Sequence, residues 1–214
     1  MIFFLARLLR RPPRLGEPRS PMDASRRAAQ RSIIDRPLSR GRAEVSLSAF
    51  SFLFSELVRN CRESIESIAE LESKLENVGF DIGQRVLELL IHREKGGRRE
   101  TRLIGALMFV ANTVWPSLFG KKAESLERST ENEDEYMIHD ATPITNEFIS
   151  VPRDMGQFNC AAFVAGIIRG CLEASGFGAN VQAVTVGDEE PVKTVFLIKF
   201  TAEVMAREAE MEAS

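Results

Sequence analysis

The sequence predicts an α+β fold: a four-stranded antiparallel sheet packed against a helical layer. Three observations carry that expectation. The first half of the chain repeats apolar residues at three- and four-residue spacing up to Leu90. Two later stretches rich in β-branched and aromatic residues read as hairpins. Between the hairpins lies a helix of small residues with a defined stop.

Taken in order, the first helix is expected from Ser46, a good N-cap residue, to Cys61. At 100° per residue, Leu47, Phe50, Leu53, Phe54, Leu57, Val58 and Cys61 share one face. Phe52 falls on the opposite side, beside Ala49 and near Ser48, Ser55 and Glu56. A lone exposed aromatic is common; a second apolar face meeting a partner helix is the functional reading, and these five positions are the candidate partner surface.

A second helix is expected near Ser67, with Ile68, Leu71, Leu75 and Val78 in register and Gly79 as its stop. A third follows, with Ile82, Val86, Leu89 and Leu90 inward, then a polar turn over 93–100. Residues 103–119 carry no charge. Such a run sits at the lower limit of the roughly 17–25 residues that cross a bilayer. Asn112, Thr113, Pro116 and Ser117 favour instead a central helix buried on nearly all sides, bent or ended by Pro116.

A short helix and loop are expected over 121–135. Tyr136–His139 and Phe148–Val151 read as the first pair of strands, joined through Thr142-Pro143. The small-residue helix spans 159–175. Ala162, Gly166 and Gly170 recur every four residues on it, a stripe that lets another backbone approach closely. Gly176 suits a left-handed stop, after which Phe177 re-enters the core. Val181–Val186 and Val192–Phe200 form the second hairpin, with a turn signal at Gly187-Asp188, and a last helix runs from Ala202 to about Met211.

At 214 residues the chain reads as one folded unit over 43–214 preceded by a basic arm over 1–42. Eleven of its 28 basic residues, all Arg, and three of its 31 acidic ones lie in the arm, which leaves 17 against 28 in the remainder. Five prolines among Arg and Ser leave 11–42 too little apolar surface to order itself. Residues 1–21 read as a disordered tail or as sequence upstream of a start at Met22. Their Arg-rich, acid-poor composition also resembles a mitochondrial transit peptide, which the Pro12-Pro13 run interrupts. The arm lacks aromatics interleaved with its arginines and the remainder is acidic, so no nucleic-acid partner is expected.

No catalytic, cofactor-binding or metal-ligating set is expected. His92 and His139 lie in different elements, and Cys61, Cys160 and Cys171 have no ligand-like spacing, which favours buried free thiols. Gly120-Lys121-Lys122 has Trp115 where a phosphate loop needs its first glycine. Asp188, Glu189 and Glu190 pair on an expected hairpin tip, where water keeps carboxyls ionised. Two functions of different kinds remain: an assembly subunit working through apolar helix surfaces, or a module binding a small molecule or lipid in an apolar cavity between sheet and helices.

Asn159-Cys-Ala-Ala-Phe-Val-Ala-Gly-Ile-Ile-Arg-Gly170, followed by Ser175-Gly-Phe177, resembles the signature helix of the small core subunits of TRAPP, the trafficking protein particle that tethers vesicles. Glu44-Val-Ser-Leu-Ser-Ala-Phe-Ser-Phe-Leu-Phe-Ser-Glu-Leu-Val58 and Arg93-Glu-Lys-Gly-Gly-Arg-Arg-Glu-Thr-Arg102 resemble one branch of that family, and Leu197-Ile-Lys-Phe200 also fits. The resemblance covers about 43–210; residues 1–21 do not match it. It implies a non-catalytic subunit that dimerises with another small TRAPP subunit through its first two helices. It further implies neighbours of the subunit 3 type and the sedlin-like subunit 2. The assembled complex would promote nucleotide exchange on a Rab-type GTPase in ER-to-Golgi and Golgi traffic. The chain would then be cytoplasmic, reaching Golgi and endoplasmic reticulum membranes peripherally through the complex. A related subunit carries an acylated cysteine in an apolar tunnel; the matching motif is not evident at any of the three cysteines here.

Overall fold

The structure, a computed structural model, describes residues 44–63, 65, 67–93, 100–151, 155–156, 158–186 and 193–213. The arm over 1–42, most of the turn expected over 93–100, and the tip with Gly187, Asp188, Glu189 and Glu190 lie outside the described residues.

Helix α1 runs Leu47–Arg62, and the Ser46 hydroxyl accepts the Ala49 N–H at 3.3 Å. Satisfying one of the donors orphaned in a first turn is what makes serine a good cap. Helix α2 runs Ile68–Arg93 as one rod of 26 residues, with the Ser67 hydroxyl accepting the Glu70 N–H. Gly79 was expected to end a helix; it lies buried in the middle of this one.

Residues 103–119 form α3 (Leu103–Phe109), a π turn (Val110–Val114) and α4 (Trp115–Phe119). The Trp115 N–H reaches the Val110 carbonyl, five residues back. That widened turn reaches the segment opened by Pro116, which has no N–H to continue a regular ladder. The helix is therefore not ended at Pro116. It stops at Gly120, which takes φ 73°. Nor is it buried all round: Ile104 and Met108 are half exposed.

The sheet has the order β1-β2-β4-β3, with β1 Ser125–Arg128, β2 Glu135–Asp140, β3 Ala179–Val186 and β4 Lys193–Phe200, and every neighbouring pair antiparallel. Three of these strands, β2, β3 and β4, fall where the sequence places them. The edge partner of β2 does not: a strand stands within 121–135, where helix and loop were expected, and Phe148–Val151 is not a strand. The second segment is held in turns, with Asn146 N–H on the Pro143 carbonyl at 2.9 Å, and Phe148 points to solvent. The true partner escapes notice because it is a four-residue edge strand with one apolar residue, Leu126, flanked by charge.

Register makes the inner face continuous. Leu126, Ile138, Phe196 and Ala183 align across all four strands, as do Arg128, Tyr136, Ile198 and Val181. Helix α5 (Ala162–Ala174) lies between this face and α2, and α6 (Ala202–Glu212) follows β4. Trp115, Phe163, Phe196, Ile138 and Leu172 fill the interior, each below 2 % exposed. Trp115 meets the rings of Phe119 and Phe196 edge-on at 5.1 and 5.5 Å. Aromatic pairs in that geometry add to the area they bury.

One buried ion pair locks the end of β2. Asp140 is 3 % exposed and accepts from the Lys121 ammonium and from the Thr142 N–H. Lys121 Nζ also donates to the Thr142 carbonyl at 2.8 Å, tying the segment after α4 to the turn after β2. Removing one partner strands a buried charge, although the half-open Lys121 side chain tempers the penalty. Lys121→Met is expected to lower stability by about 2 kcal/mol, roughly 4–8 °C in melting temperature for a domain of this size. Lys121→Met/Asp140→Asn should recover part of that loss in a calorimetric scan, since no unpaired charge remains; a double variant worse than the single would contradict this account.

Candidate functional site

On α1 the inward residues are Phe50, Phe54 and Cys61, all buried. The rings of Phe50 and Phe54 stack at 5.5 Å, and Phe54 meets Phe163 of α5 at 5.2 Å. Those contacts fix the rotation of α1 about its axis and so decide what it shows to solvent. Ser48, Ala49, Phe52, Ser55 and Glu56 are all exposed, and the Phe52 side chain is 79 % exposed. Glu56 pairs with Arg59 at 2.7 Å on the same surface.

Elsewhere around α1 the surface is not flat. A groove of about 220 Å³ opens between Leu53, Glu56, Leu57 and Asn60, floored by Phe50, Phe54 and Phe163. Periodicity places Leu53 and Leu57 on the buried face, yet they are only half covered. Periodicity reports which residues prefer to leave water; it does not report how far the next layer extends over them. The groove residues therefore escaped the sequence reading, and Ala49 and Glu56 link them to Phe52 along the helix.

The small-residue stripe positions this surface from below. A Cβ on Gly166 would lie 2.0 Å from the Glu76 carbonyl oxygen, and one on Gly170 would lie 2.2 Å from that of Phe80. The contact is reciprocal: a Cβ on Gly79 would meet the Phe163 oxygen at 2.0 Å, and one on Gly83 the Ile167 oxygen at 2.3 Å. Two glycine pairs, each four apart, thus let α2 and α5 touch backbone to backbone. Arg169 closes the edge of the crossing, 3.0 Å from Glu76 and 4.7 Å above the Phe80 ring. Ala162, the first of the expected stripe, is half-buried at the start of α5.

Both ends of α5 are fixed. Asn159, 9 % exposed, donates its N–H to Glu72 Oε1 at 2.8 Å, and its Oδ1 accepts the Ala161 N–H at 2.9 Å. Its Nδ2 reaches the Thr185 hydroxyl at 3.2 Å, so this one buried residue, through its backbone N–H and its side-chain amide, joins α2, α5 and β3. At the other end Gly176 adopts φ 83°. The Phe177 N–H returns to the Leu172 carbonyl at 2.8 Å and the Gly176 N–H to that of Glu173 at 2.9 Å. This is a Schellman stop with its apolar contact between Leu172 and Phe177, both buried.

Among the described residues the titratable groups do not converge. His92 ends α2 in solvent, and His139 lies in β2, 3.7 Å from Glu127. Among the described residues no three of His, Cys, Asp or Glu are placed to share a metal ion. All three cysteines are buried and free. Burial pushes the Cys160 and Cys171 thiols up to about 12, with Glu72 adding to the effect at Cys160. Burial also raises the Cys61 thiol, opposed by Lys74. A protonated, covered thiol is a poor nucleophile. Among the described residues no helix is long and apolar enough to cross a membrane. What the arrangement offers is an apolar helix face on a stiff two-helix support.

The sequence profile of the Transport protein particle (TRAPP) component family matches residues 50–201. The chain is 53 % identical over 180 residues to trafficking protein particle complex subunit 5 of Dictyostelium discoideum, covering 83 % of this chain and 97 % of that one. It is 44 % identical over 191 residues to the Homo sapiens subunit 5, covering 89 % and 99 %. Among solved structures it is similar to subunit 3 from Naegleria fowleri, a protein covalently bound to palmitic acid. The TM-score is 0.62 at 19 % identity, over 72 % of this chain and 95 % of that one. At that identity the likeness concerns the fold.

Proposed function

The chain belongs to the TRAPP component family, and from that premise we propose that it is a non-catalytic core subunit of a trafficking protein particle complex, holding the place of subunit 5. The folded unit over 43–214 assembles through α1, with Ser48, Ala49, Phe52, Ser55 and Glu56 as the contact surface. The observation that carries this reading is Phe52, a large aromatic left 79 % exposed on a helix whose other face is buried. An apolar patch rimmed by polar side chains is a common mark of a protein interface. A sister subunit of the subunit 3 type is the partner on this face, and a sedlin-like subunit 2 is a further neighbour in the complex. The assembled complex supports nucleotide exchange on a Rab-type GTPase in ER-to-Golgi and Golgi transport. The subunit itself stays in the cytoplasm and meets those membranes peripherally.

The reading of a small-molecule or lipid module would need an open cavity between sheet and helices. Between α5 and the sheet that space is filled by Trp115, Phe163, Phe196 and Leu172, so assembly through α1 is the better-supported reading. Co-expression with a subunit 3-type chain, followed by size exclusion with light scattering, is expected to yield a 1:1 heterodimer and better soluble yield than either chain alone. A chain that elutes as a monomer whether or not the sister is present would refute the proposal.

A further inference from the structure

Where α3, the β1–β2 hairpin and α6 meet, a cleft of about 730 Å³ opens on the surface. Its floor is apolar. Ile104 and Met108 are 52 % and 50 % exposed, and Leu126 and Met205 are half-buried beside them. Its rim carries Glu127, Glu133, Glu208 and Glu212 against Arg102 and Arg128, a count of four negative to two positive. Both arginines are already engaged. Arg102 bonds Glu208 at 2.7 Å and Glu212 at 3.3 Å. Arg128 lies over the Tyr136 ring and donates to the Glu133 carbonyl. With Glu208 and Glu212 paired to Arg102, Glu127 and Glu133 are the rim acids without an arginine ion pair among the described residues, so the cleft favours an occupant that brings apolar side chains flanked by positive charge.

We propose that the occupant is residues 1–11 of this same chain, Met1-Ile-Phe-Phe-Leu-Ala-Arg-Leu-Leu-Arg-Arg11. Ile2, Phe3, Phe4, Leu5, Leu8 and Leu9 match the apolar floor, Arg7, Arg10 and Arg11 match the acidic rim, and no acid interrupts them. The attraction extends beyond the cleft: the arm over 1–42 holds eleven Arg and three acids, while the remainder holds 17 basic and 28 acidic residues. Reach is not limiting. The structure describes the chain from Glu44, and 43 residues span up to about 140–155 Å at full extension. Covalent attachment sets an effective concentration on the order of millimolar, so even a weak contact is largely occupied. The docked arm covers Ile104 and Met108, keeping a second apolar surface from indiscriminate association while the α1 face is free to pair.

Benzoylphenylalanine placed at position 4 of the full chain tests this directly. After irradiation, peptide mapping is expected to find intramolecular cross-links concentrated in 102–108, 126–136 and 205–212. Ile104→Glu/Met108→Glu should reduce them at least five-fold. So should Arg7→Glu/Arg10→Glu/Arg11→Glu, which alters no residue of the folded body and so leaves its stability aside. Raising the salt to about 0.5 M should weaken the cross-linking, because exposed charge pairs are screened. Cross-links scattered over the whole body, or yields unchanged in either variant, would overturn the proposal. So would cross-links that are intermolecular and rise with protein concentration, the result expected if a second copy fills the cleft.

Discussion

Gly166→Ala is expected to lower the melting temperature by about 6–12 °C, and Gly166→Leu to abolish folding. An exposed helix interior would gain roughly 1 kcal/mol from replacing glycine with alanine, because glycine is the poorer helix former. Here that gain is overwhelmed. The new methyl would lie 2.0 Å from the Glu76 carbonyl oxygen and 2.9 Å from its Cα, and neither is the movable end of a side chain. The two helices must separate, and separation opens the same contact at Gly170, Gly79 and Gly83. Overpacking a tight core costs about 1–3 kcal/mol, with the upper end expected when backbone must move; each kcal/mol is about 2–4 °C in a domain of 150–250 residues. Leucine adds a branch beyond a Cβ that already meets backbone. Gly105 supplies the control: its nearest neighbour is the Glu100 carboxylate, which can swing away, so Gly105→Ala should melt within about 2 °C of wild type. A Gly166→Ala protein as stable as the Gly105→Ala protein would show that α2 and α5 are not in backbone contact.

Phe52→Glu is expected to weaken binding of the sister subunit by at least about 30-fold while leaving the melting temperature of the free chain within a degree or two. Fully burying a phenylalanine contributes about 1.5–3 kcal/mol, and each 1.4 kcal/mol is tenfold in affinity. Glutamate adds the cost of desolvating a charge in the same place. Because Phe52 touches little within its own chain, its loss should not disturb folding; surface changes of that kind usually stay within about 0.5 kcal/mol. Ser48→Ala serves as the comparison, and should change affinity less than about three-fold, as peripheral truncations at interfaces commonly do. The pairing of lost affinity with intact stability separates a docking residue from a packing residue. The reverse pattern would assign Phe52 to the fold and remove it from the interface.

The exposed side of α1 could be read almost directly from the sequence, because helical periodicity places Phe52 opposite Phe50 and Phe54 and, among the described residues, it is 79 % exposed. The groove on the same helix could not, since the half-burial of Leu53 and Leu57 depends on where α2 and α5 stop, a tertiary fact. The stripe at Gly166 and Gly170 was legible as a close-approach surface, but its counterpart was not. Gly79 imitates a helix end because a lone glycine in an apolar repeat has that local meaning. The pair Gly79 and Gly83, spaced like Gly166 and Gly170, was the available signal that one long helix crosses another. The same limit applies to β1, where four residues with a single inward leucine carry too little alternation to outweigh charge. It applies also to Phe148–Val151, whose apolar composition imitates a strand while Pro143 and the turn bonds after it forbid one.

Affinity purification of the tagged chain from its own cells, with mass spectrometry of the co-purifying chains, tests the central claim most directly when wild type and Phe52→Glu are run side by side. Wild type should bring down sister TRAPP subunits in near-stoichiometric amounts, and Phe52→Glu should lose the chain that sits on α1. A wild-type chain recovered alone, or a variant that retains every partner, would contradict the account.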